Sequence, residues 1–363
     1  MAQRIESVDL LRGITIAAMI LVNTPGDWGS VYAPLLHADW HGLTPTDLIF
    51  PFFLFIVGIS IYYAYKNKTK SNAVYKKIAI RSLKLIALGL FLNAFTPVPP
   101  FVESLETVRL PGVLQRIGIV FFVTAWLYLN LHWRYLVVVV IFILIAYWLF
   151  LGFVPFSDGT MPTFDRAPNN WSNFIDLQIL GKHMWQPDYD PEGIMGTFPA
   201  IATCILGVLI GKLLDMDTVN KTIKLLAVGF SFTVLGYLWH QIYPINKALW
   251  SSSFVLVTAG IGTVILGVIY YIVDVKQKHF GAIFKYAGMN AITVYFLSSL
   301  ISKIFYTIPV GSGNSIHGWL YQTCFVFNGL ASKLSSLLYA LSVVLCYLIL
   351  GYYLYRKRIF IKV

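Results

Sequence analysis

Apolar stretches, each about as long as a bilayer is thick, recur along this chain from Ser7 to Tyr355. Such runs leave few structural choices. Lipid offers the backbone no water, so a spanning segment is either a helix or a strand of a closed barrel. Barrel strands alternate apolar and polar side chains, and no such alternation is seen here. Only 12% of the 363 residues are charged, against roughly a quarter in a soluble domain. The fold class is therefore all-α, a polytopic membrane protein.

The runs predict ten transmembrane helices at roughly 7–24, 47–66, 78–96, 110–131, 135–154, 194–214, 223–243, 250–274, 284–308 and 331–355, each near the ~20 residues a span needs. An even number puts both ends on one side. Twenty of the 27 Lys and Arg choose that side, from Arg4 and Arg12, through the cluster Lys66 to Lys84, to Arg356, Lys357, Arg358 and Lys362. Most acids fall opposite, among them Asp39, Glu103, Asp165, Asp190 and Glu192. Both termini are then cytoplasmic. The chain reads as a single transmembrane domain, 1–363, with an extracytoplasmic loop at about 155–193. That loop is too long for a plain connection and suggests a lid or a binding surface. No cleavable signal peptide is expected, because the first apolar run ends in NTPGDW. The net charge of +11 does not indicate nucleic acid, since the basic residues sit in short loops between spans. Cys204, Cys324 and Cys346 are scattered, which argues against disulfides and zinc; no metal is expected.

Chemistry concentrates in HADWHGLTPTDLIFPFFLF, residues 37–55. Ionisable groups at a membrane entry are costly and usually functional. His37 and His41 can act as base, acid or nucleophile, or can simply hydrogen-bond a loop neighbour. Asp47 either complements a helix N-terminus or orients an imidazole or a substrate amine. Asn23, closing the first span at the same face, can donate to an oxyanion or cap the helix end. Asp9 and Arg12 share a helix face; they form an ion pair, or Arg12 joins Arg81 and Lys84 in receiving phosphates from the cytosol. Gln115 and Arg116 lie inside the fourth span, Arg116 about 10 Å below Arg109 by helical rise, and pair structurally or contact a ligand. Lys247, with Asn246 and Trp250 before the eighth span, breaks the positive-inside pattern; snorkelling is the simple account. Asn290, in GMNAITVYF, glues helices or meets a ligand. P-loop, GxSxG and HExxH signatures are not found.

Four blocks carry a family resemblance: SVDLLRGITIAAMILVNTPG with HADWHGLTPTDLIFPFFLFIVG; VRLPGVLQRIGIVFF; YDPEGIMGTFPAIATCILGVLIG; and PINKALWSSSFVL with GMNAITVYF downstream. In this order they resemble the transmembrane heparan-alpha-glucosaminide N-acetyltransferase family, in its bacterial form. Lysosomal members carry an additional lumenal N-terminal extension. The resemblance implies acetyl transfer from acetyl-CoA to the amine of glucosamine or a terminal glucosaminide. His37 falls on the active-site histidine and Asn23 on the asparagine beside it; Asp47 joins them as a catalytic candidate. Contacts to acetyl-CoA are assigned to Arg12, Arg81, Lys84, Gln115, Arg116 and Asn290. Acceptor contacts are assigned to Trp40, His41, Asp190, Glu192, Asn246 and Lys247. A homodimer is implied by analogy alone.

On this account the nucleotide meets the cationic inner mouth and the pantetheine arm threads toward His37. That requires a continuous passage between the two. Two rival classes stay open: a carrier for an amino sugar or cell-wall fragment, and a polysaccharide O-acetyltransferase.

Overall fold

The computed structural model describes residues 5–216, 219–311 and 314–361. Arg4 and Lys362, assigned above to the basic side, lie outside the described residues. The described chain is mostly helical: α1 (Glu6–Asn23), α2 (Ile49–Tyr65), α3 (Asn72–Ala94), α4 (Val113–Asn130), α5 (Trp133–Phe153), α6 (Trp171–Leu180), α7 (Thr197–Asp215), α8 (Lys221–His240), α9 (Ser252–Tyr270), α10 (Ala282–Gly288), α11 (Ala291–Thr307), α12 (Ile316–Phe325) and α13 (Ser332–Arg356). One two-stranded hairpin, Pro309–Val310 with Asn314–Ser315, is the only sheet among the described residues. Each of the ten expected spans falls on helix. Seven are long and apolar enough to cross a bilayer.

The other three depart from the simple pattern for identifiable reasons. Helix α1 carries Glu6, Asp9 and Arg12, and α3 carries Lys76, Lys77, Arg81 and Lys84, so neither is uniformly apolar. The ninth span, expected as one helix over 284–308, is broken. Helices α10 and α11 meet at 83°, with Met289 and Asn290 at the break. The Asn290 side chain donates to the Ile359 carbonyl at 3.1 Å and accepts from the Ile361 amide at 3.1 Å, so the break is pinned to the chain's own tail.

Helix α7 is central and mostly buried, whereas α8 lies at the periphery with most of its surface outward. Lipid is as apolar as a leucine, so burial gives little drive to helix pairing there; close backbone approach does the work instead. Along α2 and α7, a Cβ on Gly58 would lie 1.9 Å from the Cys204 carbonyl oxygen. One on Gly207 would lie 2.0 Å from that of Phe55. These two glycines let the helices touch backbone to backbone, which places the start of α2, with Asp47 just ahead of it, over the core.

The outer loops are built, not slack. In the 155–193 segment α6 is capped by Asn170, whose Oδ1 accepts from the Ser172 amide at 2.9 Å and from the Asn173 amide at 3.4 Å. The Trp171 ring stacks on Phe156 with centroids 4.0 Å apart. Among the bonds that tie this segment to the 97–112 loop are His183 Nδ1 with the Val108 carbonyl at 2.8 Å, and the Leu110 amide to the His183 carbonyl at 3.1 Å.

Candidate active site

The run Thr44-Pro45-Thr46-Asp47 starts the second span with a short 3-10 turn and a capping box. Asp47 is 1% exposed, and its Oδ2 accepts from the Ala38 amide (3.1 Å), the Thr44 amide (3.0 Å) and the Thr44 hydroxyl (3.0 Å). With one oxygen so occupied, the carboxylate cannot rotate. Its Oδ1 stands 2.6 Å from His37 Nδ1. One side chain thus both closes the capping box and meets the imidazole. A His37 ring donating Nδ1–H to Asp47 keeps its Nε2 lone pair for chemistry. Half of the His37 side chain is exposed, and it faces a cavity of about 430 Å³.

That cavity also takes in Asn23, Trp40, Asp47, Arg109, Glu192 and Lys247. The His37 loop is tied to the 241–251 loop by the Gly42 amide, which donates to the Ile245 carbonyl at 2.8 Å. Buried Asn246 holds the next turn, accepting from the Leu249 amide at 2.8 Å, and its side-chain nitrogen lies 3.3 Å from His41 Nδ1. Trp250, fully buried, takes φ 53°, a left-handed conformation unusual for a bulky residue, and its indole donates to the Thr203 hydroxyl at 3.0 Å. So pinned, the turn delivers Lys247 Nζ to 3.1 Å from both His37 ring nitrogens and 3.9 Å from Asp47 Oδ1. A nitrogen equidistant from both stands over the ring, off either in-plane lone pair. Burial pulls the Lys247 amine below its ordinary pKa, against the opposing pull of Glu192 and Asp47.

His41 turns away, with Nε2 2.9 Å from Asp165. Trp40 donates to the Phe164 carbonyl at 2.9 Å and meets Tyr189 edge-on at 5.1 Å. Asp190 and Glu192, read from sequence as partners for an acceptor amine, both close on Arg109. Its Nε and Nη2 reach the two Asp190 oxygens at 2.8 and 2.6 Å, and Nη2 also donates to Glu192. Asp190 additionally accepts from the Trp185 and Glu192 amides, each at 2.8 Å. Burial works against the Arg109 charge, but the two carboxylates outweigh it and hold the guanidinium above its ordinary pKa.

The residues assigned to the donor are not brought to this cavity. Arg12 pairs with Asp9 at 2.7 Å and donates to the Ser60 hydroxyl at 2.8 Å. Arg81 lies over the Phe121 ring at 4.7 Å and Lys84 is exposed on α3. Gln115 donates to the Leu110 carbonyl at 3.1 Å, and buried Arg116 donates to the Gly193 carbonyl at 2.9 Å, its guanidinium 5.1 Å from the Trp250 ring. The cavity reaches Met19 on α1. Between Met19 and Arg12, Thr15 and Ile16 are buried. The expected direct line along α1 is therefore packed shut in this conformation.

Several lining residues carried no sequence signal of their own: Trp28, Trp185, Tyr189 and Tyr295. Tyr295 could have been found, since it closes the GMNAITVY motif that drew attention to Asn290. A second cavity, about 630 Å³, adjoins the first through Asn23, Arg109, Trp185 and Tyr295, and extends along Ser298, Ser299 and Ser302 toward Lys303.

Behind the site, Asp176 is fully buried and accepts from the Ile194 amide at 2.8 Å. Burial pushes its carboxyl up to about 6, with the nearby Asp190 charge adding to the rise. A raised carboxyl weakens the fold as it ionises. The full stability is present below the unfolded-state pKa near ~4 and is lost as pH rises through about 6. Asp176→Asn is expected to flatten this dependence. The check is melting temperature across that window for both proteins; parallel curves would mean the carboxyl does not titrate there.

A family model described as the catalytic region of heparan-alpha-glucosaminide N-acetyltransferase matches residues 4–242. Human heparan-alpha-glucosaminide N-acetyltransferase is 31% identical over 419 aligned positions, covering 99% of this chain and 60% of the human protein. The mouse protein of the same name is 28% identical over 423 positions, covering 100% and 61%. The chain thus spans about 60% of the length of these relatives. The family match includes the turns that carry Asn23, His37, Asp47, Arg109 and Glu192, the greater part of the cavity wall. This chain is a membrane protein that belongs to the heparan-alpha-glucosaminide N-acetyltransferase family.

Proposed function

We propose that the protein is a single-domain acetyltransferase of a bacterial inner membrane. It moves an acetyl group from acetyl-CoA to the amine of glucosamine or a terminal glucosaminide. The observation that carries this reading is the His37–Asp47 pair, 2.6 Å apart, at the wall of a cavity that also holds Asn23.

An amine must be neutral to attack a thioester. His37 Nε2 can take its proton as the C–N bond forms, while Asp47 steadies the resulting imidazolium. The same Nε2 can instead accept the acetyl group and pass it on; both routes use the same atoms. Asn23 is the donor for the oxyanion, a role typically worth ~3 kcal/mol. Glu192, in the wall, and Trp40 supply acceptor contacts. Arg12 on α1 and Arg81 on α3, both toward the basic inner side, are the proposed contacts for the nucleotide. Because Thr15 and Ile16 are packed between them and the cavity, donor delivery requires the helices around α1 to part.

The test is direct. Purified protein with labelled acetyl-CoA and glucosamine is expected to give N-acetylglucosamine and free CoA thiol in equal amounts. Ester-linked product would move the protein to the O-acetyltransferase class. Sugar uptake into proteoliposomes without acetylation would make it a carrier.

A further inference from the structure

We propose that Lys247 is itself an acetyl acceptor: with acetyl-CoA bound and no sugar present, its Nζ takes the acetyl group. This inference rests on the acetyl-transfer reading. Its ground is position. The Nζ stands in the cavity wall 3.1 Å from both ring nitrogens of His37 and 3.9 Å from Asp47. Reacting atoms in a near-attack arrangement sit about 3–3.5 Å apart. An acetyl carbon presented to His37, for base-assisted attack or on the ring itself, is then within reach of this amine too. The turn that carries it is fixed beside His37 by the Gly42–Ile245 bond and by buried Asn246. Burial lowers the pKa of the amine and so enlarges its neutral, nucleophilic fraction.

The step balances without any further reactant. A C–N bond forms at Nζ and the thioester C–S bond breaks. In the transfer Nζ swings from over the ring to its Nε2 edge, and the proton lost by the amine passes through His37 Nε2 to the departing thiolate. One acetyl-lysine and one CoA thiol result, and nothing is oxidised or reduced. The product has lost its positive charge and its attraction to Asp47, and it fills the space over the imidazole. Self-acetylation would therefore silence the site when donor is plentiful and acceptor scarce, and bound sugar would protect against it.

The experiment incubates the full-length protein with acetyl-CoA, with or without glucosamine, and maps acetyl-lysine by peptide mass spectrometry. Sugar acetylation is assayed in parallel. Expected is acetylation at Lys247 that grows with time, is suppressed by glucosamine, and falls about a hundredfold in His37→Ala. Exposed Lys68 and Lys70 report background chemical acetylation, which that substitution leaves unchanged. N-acetylglucosamine forming while Lys247 stays unmodified would overturn the inference and leave the transferase reading intact. Equal modification of Lys247 in wild type and His37→Ala would also overturn it, as mere chemical acetylation. Acetyl-Lys247 with no sugar product would support it and remove glucosamine as the acceptor. Absence of both products would overturn both.

Discussion

His37→Ala is expected to abolish acetyl transfer while the protein still binds CoA. Loss of a positioned base or acyl carrier costs about a hundred- to ten-thousand-fold in turnover. The substitution removes atoms from the cavity wall and adds none, so donor affinity, measured by titration of purified protein with CoA, should stay within a few-fold. Asp47→Asn makes the companion case. Its Oδ2 contacts to Ala38 and Thr44 can in part persist, but a neutral amide no longer stabilises a charged imidazole 2.6 Å away. Turnover should fall with little change in melting temperature. Near-normal turnover in the alanine variant would remove His37 from the mechanism. Loss of CoA binding together with turnover would instead show a collapsed site.

Arg109→Ala is expected to give the largest loss of stability of any single change in the outer loops. Asp190 has no exposed side-chain surface and Glu192 only 8%, and both close on this one guanidinium. Its removal leaves two uncompensated buried charges, and breaking one buried pair commonly costs about 3–5 kcal/mol. The 155–193 segment should loosen first, since Asp190 also gathers the Trp185 and Glu192 amides. Arg109→Lys should rescue little, because an ammonium cannot make the two-pronged contact to Asp190. Melting temperature and limited proteolysis within 155–193 are the measurements. Unchanged values for Arg109→Ala would show that the triad is not holding the loop.

Much of the scaffold was legible because lipid imposes one solution on long apolar runs, and such runs can be counted. The break at Asn290 was not, because nothing local distinguishes it. GMN sits inside an apolar stretch, and its anchor comes from Ile359 and Ile361, some seventy residues away. The site divides in the same manner. Asn23, His37, Trp40 and Asp47 lie within 25 residues of one another, and the structure gathers them at one cavity. Lys247 was visible as a cation on the wrong side of the charge pattern. Arg109 was seen only as a marker of depth, since its meaning depends on carboxylates 81 and 83 residues on. Asp190 was read as acceptor-facing for the converse reason: its partner is far along the chain. Trp185 and Tyr189 sit in a polar loop where aromatic residues have no periodicity to betray a shared wall.

The ties around the outer rim bear on where this protein must spend its flexibility. His183 to Val108, Arg109 to Asp190 and Glu192, Trp40 to Phe164 and Gly42 to Ile245 fasten four loops into one frame. On the acetyl-transfer reading proposed above, a rim assembled in advance would ask an arriving sugar to surrender only its own freedom, not that of the receptor. The 155–193 segment then behaves as a fixed collar more than as a flap. On the same reading, the movement that would admit acetyl-CoA falls to the hydrocarbon-embedded half, where Thr15 and Ile16 are packed.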